Sequence, residues 1–289
     1  AALETTIESL LRSTSVIFEI KTFRKHPSLS DHAADAIGAQ VQEWLERYLM
    51  IERMVPDAEL SADLPVGDYA VSSWDDIEAA AKNLRKRWQL GTDPIDNLMS
   101  LLEDKGIKIG LISGHESFDA CTFEVEDCHV IAVKAGIPGD RQRFDLAHEL
   151  GHLVLNLQDD RDPKIDEEKA AHRFAGAFLV PAEMARRELG STRTRIDVHE
   201  LMILKRKYGL SMNAWIYRAK DLGIISSNVA GRLFGYFKKN GWDKEEPGEA
   251  YPAEVPLRMD TLVHRALAEE AISRSRAEEF LGRAIPVLA

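Results

Sequence analysis

The chain has few cysteines and no long hydrophobic run. Two of its 289 residues are cysteines, Cys121 and Cys128, which are too few for a secreted disulfide framework and wrongly spaced for a cysteine-based zinc site. No stretch approaches the ~20 apolar residues of a membrane span. The start, AALETTIESLL, lacks the basic and apolar regions of a signal peptide. We therefore expect a cytoplasmic protein with no membrane partner.

Positive charge is also scarce. The chain has 37 Lys and Arg against 48 Asp and Glu, a formal net charge of -11. Because an acidic protein is repelled by phosphate backbones unless it carries a local basic patch, direct nucleic-acid binding is not expected. A chain this long buries enough surface to fold without disulfides or metal. Any metal site in it is therefore better explained by function than by folding.

Hydrophobic periodicity predicts an α+β fold that is mostly helical. Apolar residues recur at helical spacing near both ends of the chain. Alternating patterns at 107–111 and 121–125, and the apolar run Val130–Val133 within 129–134, predict three short strands, the last two forming a hairpin. We expect a small three-stranded sheet, containing antiparallel strands, packed on the helix that follows it. Cys121 and Cys128 are then buried small residues on neighbouring strands.

The strongest chemical signal is an HExxH motif at residues 148–152. Positions i and i+4 lie on one face of a helix, so His148 and His152 can bind one zinc ion. Glu149 is placed to act as general base toward water. The motif lies in an amphipathic helix for which Asp140 is the expected N-cap. The alternative is a pair of surface histidines on an ordinary helix.

A catalytic zinc needs a third protein ligand and an open fourth position. The next predicted helix offers Asp166, Glu167, Glu168 and His172 as donors. Glu168 and His172 are four residues apart and share a face. Spacing alone does not choose among these four residues.

The run RQRFDLAHELGHLVLN and the following pattern ExxAxRFAxxFLVP together resemble the ImmA/IrrE family of zinc metallopeptidases. The resemblance covers about residues 105–182 and continues more weakly through the helical tail. It implies a zincin-like fold of gluzincin type. It also implies that Glu168, three residues before Ala171, is the third metal ligand beside His148 and His152, with Glu149 as general base.

The same resemblance implies one Zn²⁺ per chain and a protein substrate, a helix-turn-helix repressor in a stress-response, mobile-element or toxin–antitoxin circuit. Two histidines and a carboxylate would also suit Mn²⁺ or Fe²⁺. The chain departs from the family pattern at His172, where the family often has Asn. His172 is left as a partner of the ligands, a substrate contact, an alternative ligand or a surface histidine. No obvious helix-turn-helix pattern precedes the motif.

Four regions follow from these patterns. Residues 56–72 and 240–257 are interpreted as linkers because they carry Pro, Gly and acidic residues without a period. The predicted regions are a helical N-terminal region (1–55), a zincin-like metallopeptidase core (74–190), a helical extension (191–240) and a small C-terminal helical module (250–289).

The sequence also suggests roles for two further segments and for four single residues. The strand at 129–134 is a candidate edge strand for substrate pairing, and the run 205–207 is expected to be a solvated helix face. The candidates for stabilising a developing oxyanion are Tyr208, Tyr217, His199 and Arg143.

Two other functions compete with a peptidase. The chain could be a non-proteolytic regulatory module that controls a partner repressor, or a fragment of a DNA-binding regulator. Glu149 distinguishes the first of these from an enzyme, because a binding module has no need of a general base.

Overall fold

The computed structural model describes residues 20–23, 31–56, 58, 60, 63–114, 118–125 and 128–286. Within these ranges the chain forms eleven helices and six strands. The helices are α1 (Asp31–Met54), α2 (Trp74–Arg87), α3 (Leu98–Asp104), α4 (Gly139–Val154), α5 (Glu167–Leu179), α6 (Ala182–Leu189), α7 (Val198–Tyr208), α8 (Met212–Asp221), α9 (Ser227–Lys239), α10 (Arg258–Ala268) and α11 (Arg274–Leu281). The strands are β1 (Ile20–Phe23), β2 (Tyr69–Val71), β3 (Lys108–Ile112), β4 (Ala120–Val125), β5 (Cys128–Lys134) and β6 (Leu155–Leu157).

The main sheet has the strand order β1-β4-β5-β3. β4 pairs antiparallel with β1 and β5, whereas β3 pairs parallel with β5. One face packs on α1, where Phe123 meets Val41 and Leu45 in one apolar cluster. The other face shares a larger cluster with α4 and α5. The predicted α+β class, the three strands β3 to β5 and the hairpin are confirmed.

The two cysteines lie on adjacent strands of this sheet. Cys121 on β4 is buried and Cys128 on β5 is half-buried. Burial raises the pKa of the Cys121 thiol well above its usual value, and the nearby Glu149 carboxylate adds to the effect. Cys121 is therefore an unreactive core residue.

The prediction that residues 1–55 are helical is wrong over Ile20–Phe23, which form β1 against β4. The segment is rich in residues that favour strands, and its backbone pairs with an edge of β4 that would otherwise carry unpaired groups. The helix predicted before residue 55 is present as α1, Asp31–Met54. Residues 1–19 and 24–30 lie outside the described residues.

Helices α4 and α5 approach each other closely at Gly151. A Cβ atom added there would lie 3.1 Å from the Cα of Ala171 and 3.1 Å from a ring carbon of Phe174. Glycine at this position of the motif therefore lets the backbone of α5 lie directly against α4. This contact brings the first turn of α5 beside the two motif histidines.

Residues 246–257, which we call the strap, are irregular in backbone as predicted, but they pack against the first half of α4. The amide of Gly139 donates to the carbonyl of Tyr251 at 3.0 Å. A Cβ at Gly139 would lie 1.9 Å from the carbonyl oxygen of Pro252, so only glycine fits there. Glu254 forms a buried ion pair with Arg143.

The prediction of a solvated face at residues 205–207 is wrong for Lys205. Its Nζ lies 3.2 Å from Asp140 Oδ2 and 2.9 Å from Glu246 Oε2, and all three side chains are at most 10% exposed. Asp140 therefore takes part in a buried charge network instead of capping α4. The residue before the helix is Pro138, which makes no side-chain cap.

The C-terminal helices α10 and α11 pack on the last turns of α1. Ile51 of α1 and Val55, directly after the helix, share an apolar cluster with Val263 and Phe280. The boundaries of the four predicted regions remain predictions. Among the described residues, no helix has the length and apolar character needed to cross a membrane.

Candidate metal centre

Helix α4 places the two motif histidines on one face, as the i, i+4 spacing predicts. The Nε2 atoms of His148 and His152 are 3.0 Å apart, and the ring planes meet at 84°. The side chains are 12% and 7% exposed. The two nitrogens therefore point at one small region that is sheltered from solvent.

Glu168 comes to the same region from the first turn of α5. The turn is fixed by Asp166, whose side chain accepts a hydrogen bond from the amide of Lys169 at 2.8 Å. The Oε2 of Glu168 lies 3.4 Å from His148 Nε2, and its Oε1 lies 3.6 Å from His152 Nε2. The Glu168 side chain is 49% exposed, so this side of the cluster is open.

The three donors suit a divalent metal in both chemistry and spacing. Metal bonds of about 2.0–2.2 Å in a tetrahedral site place neighbouring ligand atoms about 3.3–3.6 Å apart. The observed separations of 3.0, 3.4 and 3.6 Å are close to that range. Of the groups of His, Cys, Asp and Glu in the described part of the chain, this one has three ligand atoms close enough for one ion.

Glu149 lies beside the cluster and faces β4. Its side chain is buried, with 7% exposure. The hydroxyl of Thr122 donates to Glu149 Oε2 at 2.6 Å, which fixes the direction of the carboxylate. The role of Thr122 was not predicted from the sequence, because Thr122 lies 27 residues before Glu149, on a strand, and belongs to no motif.

A second carboxyl, that of the half-buried residue Asp145, lies one turn before Glu149 on α4. Burial raises the pKa of Asp145 to about 8, and the neighbouring Asp119 carboxylate acts in the same direction. Asp145 is therefore mostly neutral at pH 7, and it does not add a full negative charge near Glu149. The i, i+4 spacing of Asp145 and Glu149 is the signal that could have identified it.

The other donors offered by α5 lie around the cluster but outside it. Glu167 Oε1 is 3.4 Å from His152 Nδ1, and its side chain is 58% exposed. His172 Nδ1 is 2.8 Å from the Glu168 carbonyl oxygen, to which it donates. The His172 ring stacks edge-on against His148, with centroids 4.4 Å apart.

Two of the residues considered for oxyanion stabilisation are excluded by burial. Arg143 is fully buried and paired with Glu254, and the Tyr208 hydroxyl donates to Glu188 Oε1 at 2.9 Å. Tyr217 and His199 are exposed.

The proposed edge strand is also corrected, because β5 lies between β4 and β3 and has no free edge. The sequence pattern indicates that β5 pairs with β4, its neighbour in the chain. It does not indicate that β3, which comes before both strands, pairs with the other side of β5.

Comparison with known proteins finds a similarity over the region that contains the motif. Residues 104–220 match the family model for the IrrE N-terminal-like domain, Peptidase_M78. A Mycobacterium tuberculosis transcriptional regulator of known structure aligns with 60% of this chain and 51% of its own length, at 16% identity and a TM-score of 0.38. The chain thus spans about half the length of that regulator. No curated protein matches the chain.

Proposed function

We propose that this chain, whose residues 104–220 match the family model for the IrrE N-terminal-like domain, is a zinc-dependent endopeptidase. The observation that carries the proposal is the convergence of His148, His152 and Glu168 beside a buried, oriented Glu149. A metal-binding regulatory module would need the first three residues but not the fourth.

His148, His152 and Glu168 would hold the ion, and the exposed side of Glu168 would leave a position for substrate. A bound zinc ion supplies a Lewis acid that polarises a peptide carbonyl and makes water more acidic. The family match supports a metal-dependent peptidase. The choice of zinc over manganese or iron is part of the proposal.

Glu149 would move the proton during peptide hydrolysis. Its carboxylate takes a proton from the attacking water as the new C–O bond forms, and returns it to the amide nitrogen as the C–N bond breaks. The Thr122 hydroxyl donates to one carboxylate oxygen and so orients the carboxylate for this transfer. The products are a new carboxyl group and a new amine.

The proposed substrate is a protein partner, a helix-turn-helix repressor in a regulatory circuit, and the proposed location is the cytoplasm. The support is the family resemblance together with the acidic charge of the chain, which disfavours DNA itself as the partner. Cleavage would require an accessible, extended segment of the repressor.

The proposal predicts that Glu149→Gln removes cleavage and retains the metal. Gln keeps an acceptor for Thr122 but cannot carry the proton, so the cleavage rate should fall by about 10²–10⁴-fold. The assay follows zinc-dependent cleavage of reduced casein by gel electrophoresis, with metal content measured in parallel. Glu183→Gln, an exposed carboxylate on α6 away from the cluster, is the matched control and should cleave normally.

The Glu149→Gln variant also serves to capture the substrate. Crosslinking followed by mass spectrometry should recover a helix-turn-helix repressor that the wild-type chain cuts. Cleavage by the variant at the wild-type rate would remove Glu149 as the base. Absence of cleavage by zinc-loaded wild type, both of casein and of every captured partner, would contradict the peptidase proposal.

A further inference from the structure

We infer that helix α9 carries a docking surface for an acidic helix of a protein partner. The surface, which we call the α9 face, consists of the outward side of residues 231–239 together with Tyr217 and Lys220 of α8. It includes no residue of the candidate metal centre, so the inference holds whether or not the chain cleaves a substrate. Most of it follows residue 220, where the match to the family model ends.

One side of α9 is buried and the opposite side is open. The buried residues are Val229, Ala230 and Phe237, which belong to the largest apolar cluster. With 3.6 residues per turn, Gly231 and Gly235 lie on the opposite side of the helix. Both glycines are exposed, and nothing lies within 4 Å of a Cβ atom added to either. Within the described residues, the outward side of α9 is therefore uncovered.

Aromatic rings border this open side on both flanks. Phe234 lies on one flank and packs against Tyr217 of α8, with ring centroids 4.6 Å apart. Tyr236 lies on the other flank and meets Trp242 edge-on at 5.4 Å. The two tyrosines nevertheless remain 53% and 48% exposed. Exposed aromatic rings of this kind are enriched in the contact surfaces of protein complexes.

The α9 face is basic, although the chain as a whole is acidic. Residues 222–242 contain three basic residues, Arg232, Lys238 and Lys239, and no acidic residue, whereas the net charge of the chain is -11. Lys220 of α8 adds a fourth cation, and its Nζ lies 5.6 Å from the centre of the Tyr217 ring. In the part of the chain that the structure describes, none of these four cations forms an ion pair with a carboxylate.

Other basic residues of the neighbouring helices are paired within the chain. Lys205 of α7 lies 3.2 Å from Asp140, and Arg218 of α8 lies 2.6 Å from Glu78. The cations of the α9 face are thus left to interact with a molecule outside the chain, and they attract an anionic one. Charge complementarity therefore assigns Asp and Glu residues to the partner.

The placement of the rings favours a protein helix over a single-stranded nucleic acid. Bases of a single strand stack on aromatic rings that follow one another along a groove. Here the rings stand on opposite flanks of α9, and the planes of Tyr236 and Trp242 meet at 86°. A partner helix laid over Gly231 and Gly235 can approach the α9 backbone closely and place apolar side chains against the rings on both flanks.

The test selects ligands for the full chain from a displayed library of random peptides, each long enough for about four helical turns. Selected peptides should be rich in Asp and Glu and should carry apolar residues three and four positions apart. One selected peptide is then labelled with fluorescein, and its binding is measured by anisotropy. The affinity should fall as salt is added, because interactions between exposed charges are screened. Circular dichroism should show that the peptide gains helix on binding.

Two variants remove the charge and the aromatic ring separately. Lys238→Glu combined with Lys239→Glu should weaken binding at least about tenfold, because two attractive charges become repulsive. Tyr236→Ala should weaken binding about tenfold through loss of an exposed ring. The matched control is Lys82→Glu combined with Lys86→Glu, two exposed lysines one turn apart on α2, which should bind as wild type. All these side chains are exposed, so the unfolding midpoints should stay close to that of wild type.

Failure to select binders would overturn the inference, as would binding that neither α9 variant weakens or that the control weakens equally. If the charge-reversal chain does not fold, the comparison of Tyr236→Ala with the control decides. Binding of labelled oligothymidine or of phosphatidylserine vesicles through these residues, with no acidic peptide selected, would replace the protein partner by a nucleic acid or a membrane. A wild-type dimer in sedimentation equilibrium that Tyr236→Ala dissociates would identify the occupant as a second copy and also contradict the inference.

Discussion

The two halves of helix α4 are stabilised in opposite ways. In the first half, Arg143 is fully buried, pairs with Glu254 and donates to the carbonyl of Ile95 at 2.8 Å. In the second half, His148 and His152 turn nitrogen atoms toward each other and toward Glu168. The first half contains a buried positive charge with its partners present, whereas the second half gathers donor atoms around a space that suits a cation.

This difference between the two halves shows that polar residues on one helix can serve either the fold or a functional site. Buried charges that support the fold are paired within the chain, and Arg143 and Lys205 both follow that rule. Lone pairs of two imidazoles and a carboxylate at 3.0–3.6 Å are stabilised best by an ion among them. Substitutions in the two halves should therefore affect different properties.

The largest expected effect is on stability, from Arg143→Ala. Removing one partner of a buried ion pair leaves Glu254 as an uncompensated buried charge, at a cost of about 3–5 kcal/mol in the free energy of unfolding. Urea unfolding monitored by circular dichroism measures the cost. Arg206→Ala is the matched control, because its ion pair with Glu249 also involves the strap but is 71% and 80% exposed; no measurable change is expected.

The next effect is on metal affinity, from Glu168→Ala. Loss of a direct ligand should weaken zinc binding more than about 100-fold, since changes in residues that only support ligands already cost 10–100-fold. Competition with a fluorescent chelator measures the affinity, and the unfolding free energy of the metal-free chain should stay unchanged. Glu167→Ala and His172→Ala, which remove contacts to His152 and His148, should weaken zinc binding less, by at most about 10–100-fold. A loss in either variant larger than that in Glu168→Ala would mean that Glu168 is not the third ligand.

A smaller loss of zinc affinity is expected from Gly151→Ala. The new methyl group would press on the Ala171 backbone at 3.1 Å, so α5 must shift and carry Glu168 with it. We expect about tenfold weaker zinc binding. Gly235→Ala on α9 is the control, because nothing lies within 4 Å of its added Cβ; it should leave zinc binding unchanged and stabilise the chain by about 0.5–1 kcal/mol. Normal zinc binding by Gly151→Ala would show that the helix contact does not position Glu168.

The smallest expected effect is on the pH dependence of the unfolding free energy. It arises from Glu103, whose carboxylate accepts hydrogen bonds from the end of the strap and the start of α10. Burial raises the pKa of this carboxyl from 4.5 to about 7, although the amides of Leu257 and Arg258 donate to it and act in the opposite direction. Because the folded state holds this proton more tightly, the stability it contributes is complete below pH 4.5 and declines as the pH rises to about 7.

Glu103→Gln should remove this decline while keeping an acceptor for Leu257. The difference in unfolding free energy between wild type and variant should change by on the order of 1 kcal/mol between pH 5 and pH 7. Glu249→Gln, an exposed carboxylate of the strap, is the control for a general change of charge. Parallel pH curves for wild type and Glu103→Gln would show that Glu103 does not titrate in this range.

Local patterns predicted the second half of α4 better than the first. The i, i+4 spacing of His148 and His152 is a property of one helix, so it can be read without knowing the fold. Arg143 and Glu254 are 111 residues apart, and nothing near either residue indicates the other. For the same reason Lys205 was expected in solvent, since its partners Asp140 and Glu246 come from distant segments.

Local patterns were also insufficient to predict which strands pair in the sheet. Alternating apolar residues identified β3, β4 and β5 and the β4–β5 hairpin. The strand β1 was missed because four residues give too short a period to compete with the helical pattern around them. β5 was predicted to be an edge strand because its parallel pairing with β3 cannot be recognised from the hairpin pattern; in the sheet it lies between β4 and β3.

Metal content tests the central claim most directly. The chain should be purified without chelator or affinity metal, and its elements measured by mass spectrometry alongside the Glu168→Ala variant. We predict about one zinc per wild-type chain, and much less in the variant, because three converging donors form the site. Wild-type chains that stay free of metal after dialysis against zinc would contradict the account.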